Sequence, residues 1–139
     1  MPAQKFLLDT NILLTALIKP EALDVKIQAL LQNPNNSILF STASIWEIAI
    51  KRSLGREDFN FMPEEIQHLA MNTGFSELTI QSNHCFKLVD MPWHHRDPFD
   101  RLLVSQAQTI PAYLLTSDAL LADYSELVRV VEINSTQVK

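Results

Sequence analysis

Residues 97–118 read DPFDRLLVSQAQTIPAYLLTSD. Asp97 stands before Pro98, and Phe99, Leu102, Leu103, Gln106 and Ala107 follow at helical spacing. An aspartate can accept the first free amides of a helix, and a proline next to it has its φ already set. Together they predict a helix starting at Pro98 with Asp97 as its N-cap. The apolar run AYLL, residues 112–115, predicts a strand, and the chain leaves it through Thr116, Ser117 and Asp118. A helix feeding a short, wholly apolar strand is the repeating unit of a parallel sheet covered on both faces.

The same alternation runs outward along the chain. KFLL (5–8) predicts a first strand, after which Thr10 or Asn11 can cap a helix beginning at Ile12. Pro20 can open a second helix, with Ala22, Val25, Ala29 and Leu30 at helical spacing and a stop near Asn33 and Pro34. A strand is expected over 37–40 and a helix over 43–53 that Gly55 terminates. Residues 63–72 predict another helix, stopped by Gly74, then a short strand over 78–80 and a helix near 84–89. A short helix near 119–122 and a strand over 129–133 complete the pattern. The fold expected is α/β, a three-layer α/β/α sandwich around a central parallel sheet.

No repeat, low-complexity tract or charge block divides the 139 residues, so 1–139 reads as one domain. The hydrophobic fraction of 47% and charged fraction of 19% are those of a globular protein. Cys85 is the single cysteine, which rules out an internal disulfide or a cysteine metal site and predicts a small buried hydrophobe. The N-terminal apolar stretch is broken by Asp9, Thr10 and Asn11, unlike a signal peptide, and no apolar run approaches 18 residues. A cytoplasmic protein is expected, with no membrane partner. With Gly55 and Gly74 the only glycines, a glycine-rich nucleotide loop is excluded.

The net charge of −5 argues against generic nucleic-acid binding, which draws on excess Lys and Arg. Placement of the acids matters more. Ligands of open α/β sheets bind beyond the carboxyl ends of the strands. Asp9 follows the first strand, Asp118 follows AYLL, and Glu47 and Asp100 fall in the first turns of helices that start at that same end. Four crowded carboxylates stay ionised only if a cation compensates them, and an oxygen-only donor set favours magnesium or manganese. Such an ion points to phosphodiester hydrolysis.

Each acid also has a structural reading. Asp9 and Asp118 can cap the helices that follow them, and Asp100 favours the helix dipole. Glu47 lies three residues after Ser44, a capping-box spacing that on its own favours structure. Asp97 reads first as a cap. His94, His95 and Arg96 form a small basic cluster, either a solvated loop or an RNA-phosphate contact. Lys51 and Arg52 beside Glu47 read as solvated charges close to the site. Trp46 and Trp93 can stack on bases, although Ile45, Ile48 and Ala49 around Trp46 favour a core position. Thr116 and Ser117 can support a carboxylate or simply form a turn.

These stretches resemble a known family. LLDTNILL is similar to the first motif of PIN domains, SIWEIAIK to the helix carrying that family's glutamate, and LLTSD to its final strand-end motif. HHRDPFDRLLVSQA resembles the third motif of a bacterial subgroup of toxins from VapBC-type toxin–antitoxin systems. The resemblance implies that Asp9, Glu47, Asp100 and Asp118 bind metal and carry catalysis. It implies supporting roles for Asp97, Thr10, Asn11 and Ser117, with Arg96, Lys51 and Arg52 as candidate RNA contacts. Tyr124, in ALLADY, takes the place of an aromatic found soon after the last acid in many relatives.

The implied activity is a Mg2+- or Mn2+-dependent endoribonuclease, with RNA as substrate, a cognate antitoxin and a homodimer. Two other classes compete. One is a catalytically silent PIN-like binding module, which retention of all four acids opposes. The other is a phosphotransfer domain with Asp9 as nucleophile, which Asn11 weakens by standing where such domains carry a second aspartate.

Overall fold

The computed structural model describes residues 3–134. Five strands form one all-parallel sheet: β1 (Lys5–Leu8), β2 (Ser37–Ser41), β3 (Ser76–Leu78), β4 (Tyr113–Thr116) and β5 (Val128–Val130). Their order across the sheet is β3-β2-β1-β4-β5. The chain builds outward from β1 on one side, then returns to its other side. β1 and β4 therefore flank the switch point, in the register Leu7↔Leu114 and Leu8↔Leu115.

Among the described residues six α-helices cover the sheet: α1 (Thr10–Ile18), α2 (Val25–Gln32), α3 (Thr42–Ser53), α4 (Pro63–Thr73), α5 (Ser82–Lys87) and α6 (Pro98–Thr109). Strand alternation divides the core into two layers. Phe6 and Leu8 of β1, with Ile38 and Phe40 of β2, pack under α1 to α4. Leu7 and Leu114 face the other way, against Leu102, Leu103 and Ala107 of α6. Leu7, Leu8, Leu114 and Leu115 are almost wholly buried. Each such side chain contributes about 1.5–3 kcal/mol relative to exposure. The α/β/α sandwich expected from the alternation is the observed fold.

Several boundaries differ from the sequence expectation. Asp9, rather than Thr10 or Asn11, caps α1. Pro20 opens only a 3-10 turn (Pro20–Ala22), and α2 starts at Val25 with Asp24 as its cap. The break lets Ala22 and Leu23 turn into the core, where Leu23 bridges Ile133. β3 lies at Ser76–Leu78 because Gly74, at φ +102°, turns the chain straight from α4 into pairing with β2. The final strand spans only Val128–Val130, as far as β4 offers a partner. The short helix expected near 119–122 is a 3-10 helix (Ala119–Tyr124), and a 3-10 turn (Leu88–Asp90) extends α5. No helix among the described residues is long and apolar enough to cross a membrane.

Candidate metal centre

A cavity of about 140 Å³ opens at the carboxyl ends of β1 and β4. It is lined by Asp9, Thr10, Asn11, Glu47, Lys51, Asp97, Asp100, Ser117 and Asp118. A wider groove of about 1180 Å³ runs between residues 21–28 and 130–134 and holds none of the four acids.

Asp9 is both cap and wall. Its Oδ1 accepts the Ile12 amide at 2.8 Å, while Oδ2 accepts Thr116 Oγ1 at 2.5 Å and the Ser117 amide at 3.3 Å. The side chain thus ties the end of β1 to the end of β4, and only 5% of the residue is exposed. Burial pushes its carboxyl above the ordinary value, opposed by the bonds from Thr116, Ile12 and Ser117, with the Glu47 charge adding to the rise.

Glu47 does not close a capping box with Ser44. Ser41 caps α3 through the Ala43 amide, so Ser44 lies inside the helix, and buried. The sequence spacing matched the motif three residues too late because β2 runs on to Ser41 and the cap is the strand's last residue. Glu47 Oε1 instead accepts Thr10 Oγ1 at 2.6 Å, with Ser44 Oγ 2.9 Å from the same hydroxyl. Its Oε2 pairs with Lys51 at 2.9 Å.

Asp100 stands in the first turn of α6. Among the described residues nothing donates a hydrogen bond to its carboxylate, and the nearest ionisable nitrogen is His95 Nε2 at 3.7 Å. Burial, then the charges of Asp97, Asp9 and Glu47, push its carboxyl up to about 7, against an opposing contribution from His95. Asp97 caps α6 through the amides of Phe99 (2.9 Å) and Asp100 (3.5 Å), and also lines the cavity. Asp118 caps the turn that follows it, accepting the Leu120 amide at 3.0 Å.

The basic candidates separate. Lys51 lines the cavity, held on Glu47. Arg52 directs Nε to the Met62 sulfur at 3.2 Å, and Arg96 is exposed; neither reaches the lining. Trp46 is not a core residue. It is 55% exposed and packs edge-on against Phe99, because Ile45 and Ile48 take the inward faces of α3. Cys85 is exposed on α5, not buried.

His95 is the residue that sequence reasoning left undistinguished within its basic cluster. Its Nε2 lies 2.7 Å from Asp118 Oδ2, and one ligand atom from each of His95, Asp100 and Asp118 falls within 4.8 Å of the others. The only sequence signal was its place two residues before the cap Asp97. The contact that singles it out comes from Asp118, 23 residues away.

The donor chemistry fits a divalent cation. Asp9 is anchored by neutral donors yet keeps a lone pair on Oδ1, and Asp100 is pressed by three other carboxylates that His95 offsets only in part. Carboxylate oxygens suit magnesium or manganese.

Among curated proteins, none matches the sequence. A chain in the structure of VapBC2 from Rickettsia felis bound to a DNA fragment from their promoter is 17% identical, with a TM-score of 0.68 over 93% of this chain and 100% of that one. One in the structure of VapBC-1 from nontypeable Haemophilus influenzae is also 17% identical, with a TM-score of 0.60 over 91% and 98%. A domain of a functionally unknown protein from Methanocaldococcus jannaschii is 16% identical, with a TM-score of 0.59 over 93% and 91%. At such identities these likenesses show the fold, and the sequence itself carries membership. The model of the PIN domain matches residues 6–127, a span that runs from within β1 past β4 and takes in all four acids, and the chain belongs to the PIN domain family.

Proposed function

We propose that this chain is a metal-dependent endoribonuclease and the toxin of a toxin–antitoxin module, working as one PIN domain over residues 1–139. The observation that carries the proposal is Asp100, a carboxylate crowded by Asp97, Asp9 and Glu47 to which none of the described residues donates a hydrogen bond. Such a group is costly to keep ionised unless a cation shares the cavity.

In this reading Asp9, Glu47, Asp100 and Asp118 hold Mg2+ or Mn2+. The ion supplies a lowered pKa for water and neutralisation of charge on a phosphoryl oxygen. Thr116 and Ser117 fix the angle of Asp9, and Thr10 fixes Glu47. Asp97 and Asn11 complete the wall. Lys51, at the rim, is the cation best placed to meet an RNA phosphate, a non-specific positioning contact. Arg96 and Arg52 then act only outside the cavity.

The VapBC neighbours support a cognate antitoxin as partner; the resemblance of the sequence motifs to PIN-type toxins motivates a homodimer, and the single cysteine a cytoplasmic location.

The test is cleavage of RNA by the purified chain with Mg2+ or Mn2+. Asp9→Asn and Asp100→Asn should each lower the rate by about two orders of magnitude, the scale for losing electrostatic stabilisation at a reacting phosphate. Chelator should abolish cleavage. Full activity in both variants, or activity unaffected by chelator, overturns the reading.

A further inference from the structure

The side chain of His95 has two partners that fix where its proton sits. Its Nδ1 lies 3.0 Å from the Asp97 amide, and its Nε2 lies 2.7 Å from Asp118 Oδ2. A backbone amide can only donate, so Nδ1 must present a lone pair. The proton of the neutral ring is then on Nε2, from which it is donated to Asp118.

The main chain of His95 is held independently of its ring. The His95 amide donates to Tyr124 Oη at 2.9 Å, and Tyr124 Oη donates back to the His95 carbonyl at 3.3 Å. Arg101, only 4% exposed, donates Nη1 to the same tyrosine at 3.1 Å and to the Pro92 carbonyl at 2.8 Å. Its Nη2 faces the carbonyls of Leu88 and Met91. A buried guanidinium on α6 thus fixes the backbone that carries His95, and through Tyr124 fixes it against the turn that starts at Asp118.

Two uses of the ring exclude each other. To ligate a cation, Nε2 would need its lone pair and Nδ1 would need the proton. That proton would then point at the Asp97 N–H, two donors facing each other in a half-buried site. As a donor from Nε2, by contrast, the ring satisfies both partners at once. Asp118 is then restrained at both oxygens, Oδ2 by His95 and Oδ1 by the Leu120 amide.

We propose that His95 is a positioning residue: its Nε2–H orients the Asp118 carboxylate toward the cavity, and the imidazole does not itself enter the coordination of the cation. This rests on the metal reading of the site above. The arrangement is the carboxylate–histidine pairing of metal sites with its order reversed, the histidine standing behind the carboxylate.

The test combines side-chain 15N NMR of His95 with calorimetric Mg2+ binding, at one fixed neutral pH. In the metal-free protein His95 should show the Nε2–H form, and Asp118→Ala should remove the hydrogen-bonded shift of that proton. On saturation with Mg2+ the same form should persist. His95→Ala should weaken Mg2+ binding by about 10–100-fold, the usual range for a residue behind a ligand. His95→Gln, which keeps an N–H donor of similar reach, should recover most of that loss. A switch of His95 to the Nδ1–H form with Mg2+ would make it a ligand and overturn the proposal. So would Mg2+ affinity unchanged in His95→Ala, or a metal-free ring already in the Nδ1–H form. Failure of the wild-type protein to take up Mg2+ would defeat the metal reading alone, because the metal-free spectra still decide the His95–Asp118 bond.

Discussion

Asp100 ionises near 3.8 in the unfolded chain and near 7 in the fold. Between those values the folded state keeps a proton that the unfolded state has released. The stability this group contributes is therefore full below about pH 3.8, declines as pH rises, and is gone above about pH 7. Asp9 shifts in the same direction. In chelator, the denaturation midpoint of the wild-type protein should fall between about pH 4 and 7, and Asp100→Asn should flatten that fall and be the more stable protein above pH 7. A flat wild-type profile, or an Asp100→Asn variant less stable at high pH, would contradict the crowding of charge described here. The placement of the candidate site residues was only partly legible in the sequence. Asp9 and Asp118 could be read from where the strands end. His95 could not, because its ring is chosen by partners that the chain brings together only on folding.

Elements were legible where a residue with restricted chemistry marks their ends. Asp97 and Pro98 place the start of α6, and Gly74 places the end of α4. Short strands were less so. A three-residue strand such as β3 takes its position from pairing with β2, which no local pattern encodes. The start of α3 shows the same limit. The spacing to Glu47 pointed to Ser44 as the cap, whereas the structure gives that role to Ser41, the last residue of β2. Ser41→Ala should therefore cost about 1 kcal/mol through loss of the bond to the Ala43 amide, read as a lower midpoint in urea. An unchanged midpoint would show that α3 does not depend on that cap.

For the whole molecule, strand order does what no single motif can. The order β3-β2-β1-β4-β5 sets β1 beside β4 and opens the crevice at their carboxyl ends, where open α/β sheets bind ligands. Acids 109 positions apart in sequence, Asp9 and Asp118, line one cavity as a result, with α3 and α6 starting at the same end and supplying Glu47 and Asp100. This convergence was legible from alternation alone, since it needs only the direction of each element; the hydrogen bonds from Thr116 and Thr10 that aim the acids were not. The central claim is that the convergence is a cation site. The most direct measurement is anomalous diffraction from crystals of the wild-type chain soaked in Mn2+. The account predicts a manganese peak within the cavity, bound by oxygens from Asp9, Asp100 and Asp118. A saturating soak that leaves no peak there, or that places manganese only elsewhere on the surface, would contradict it.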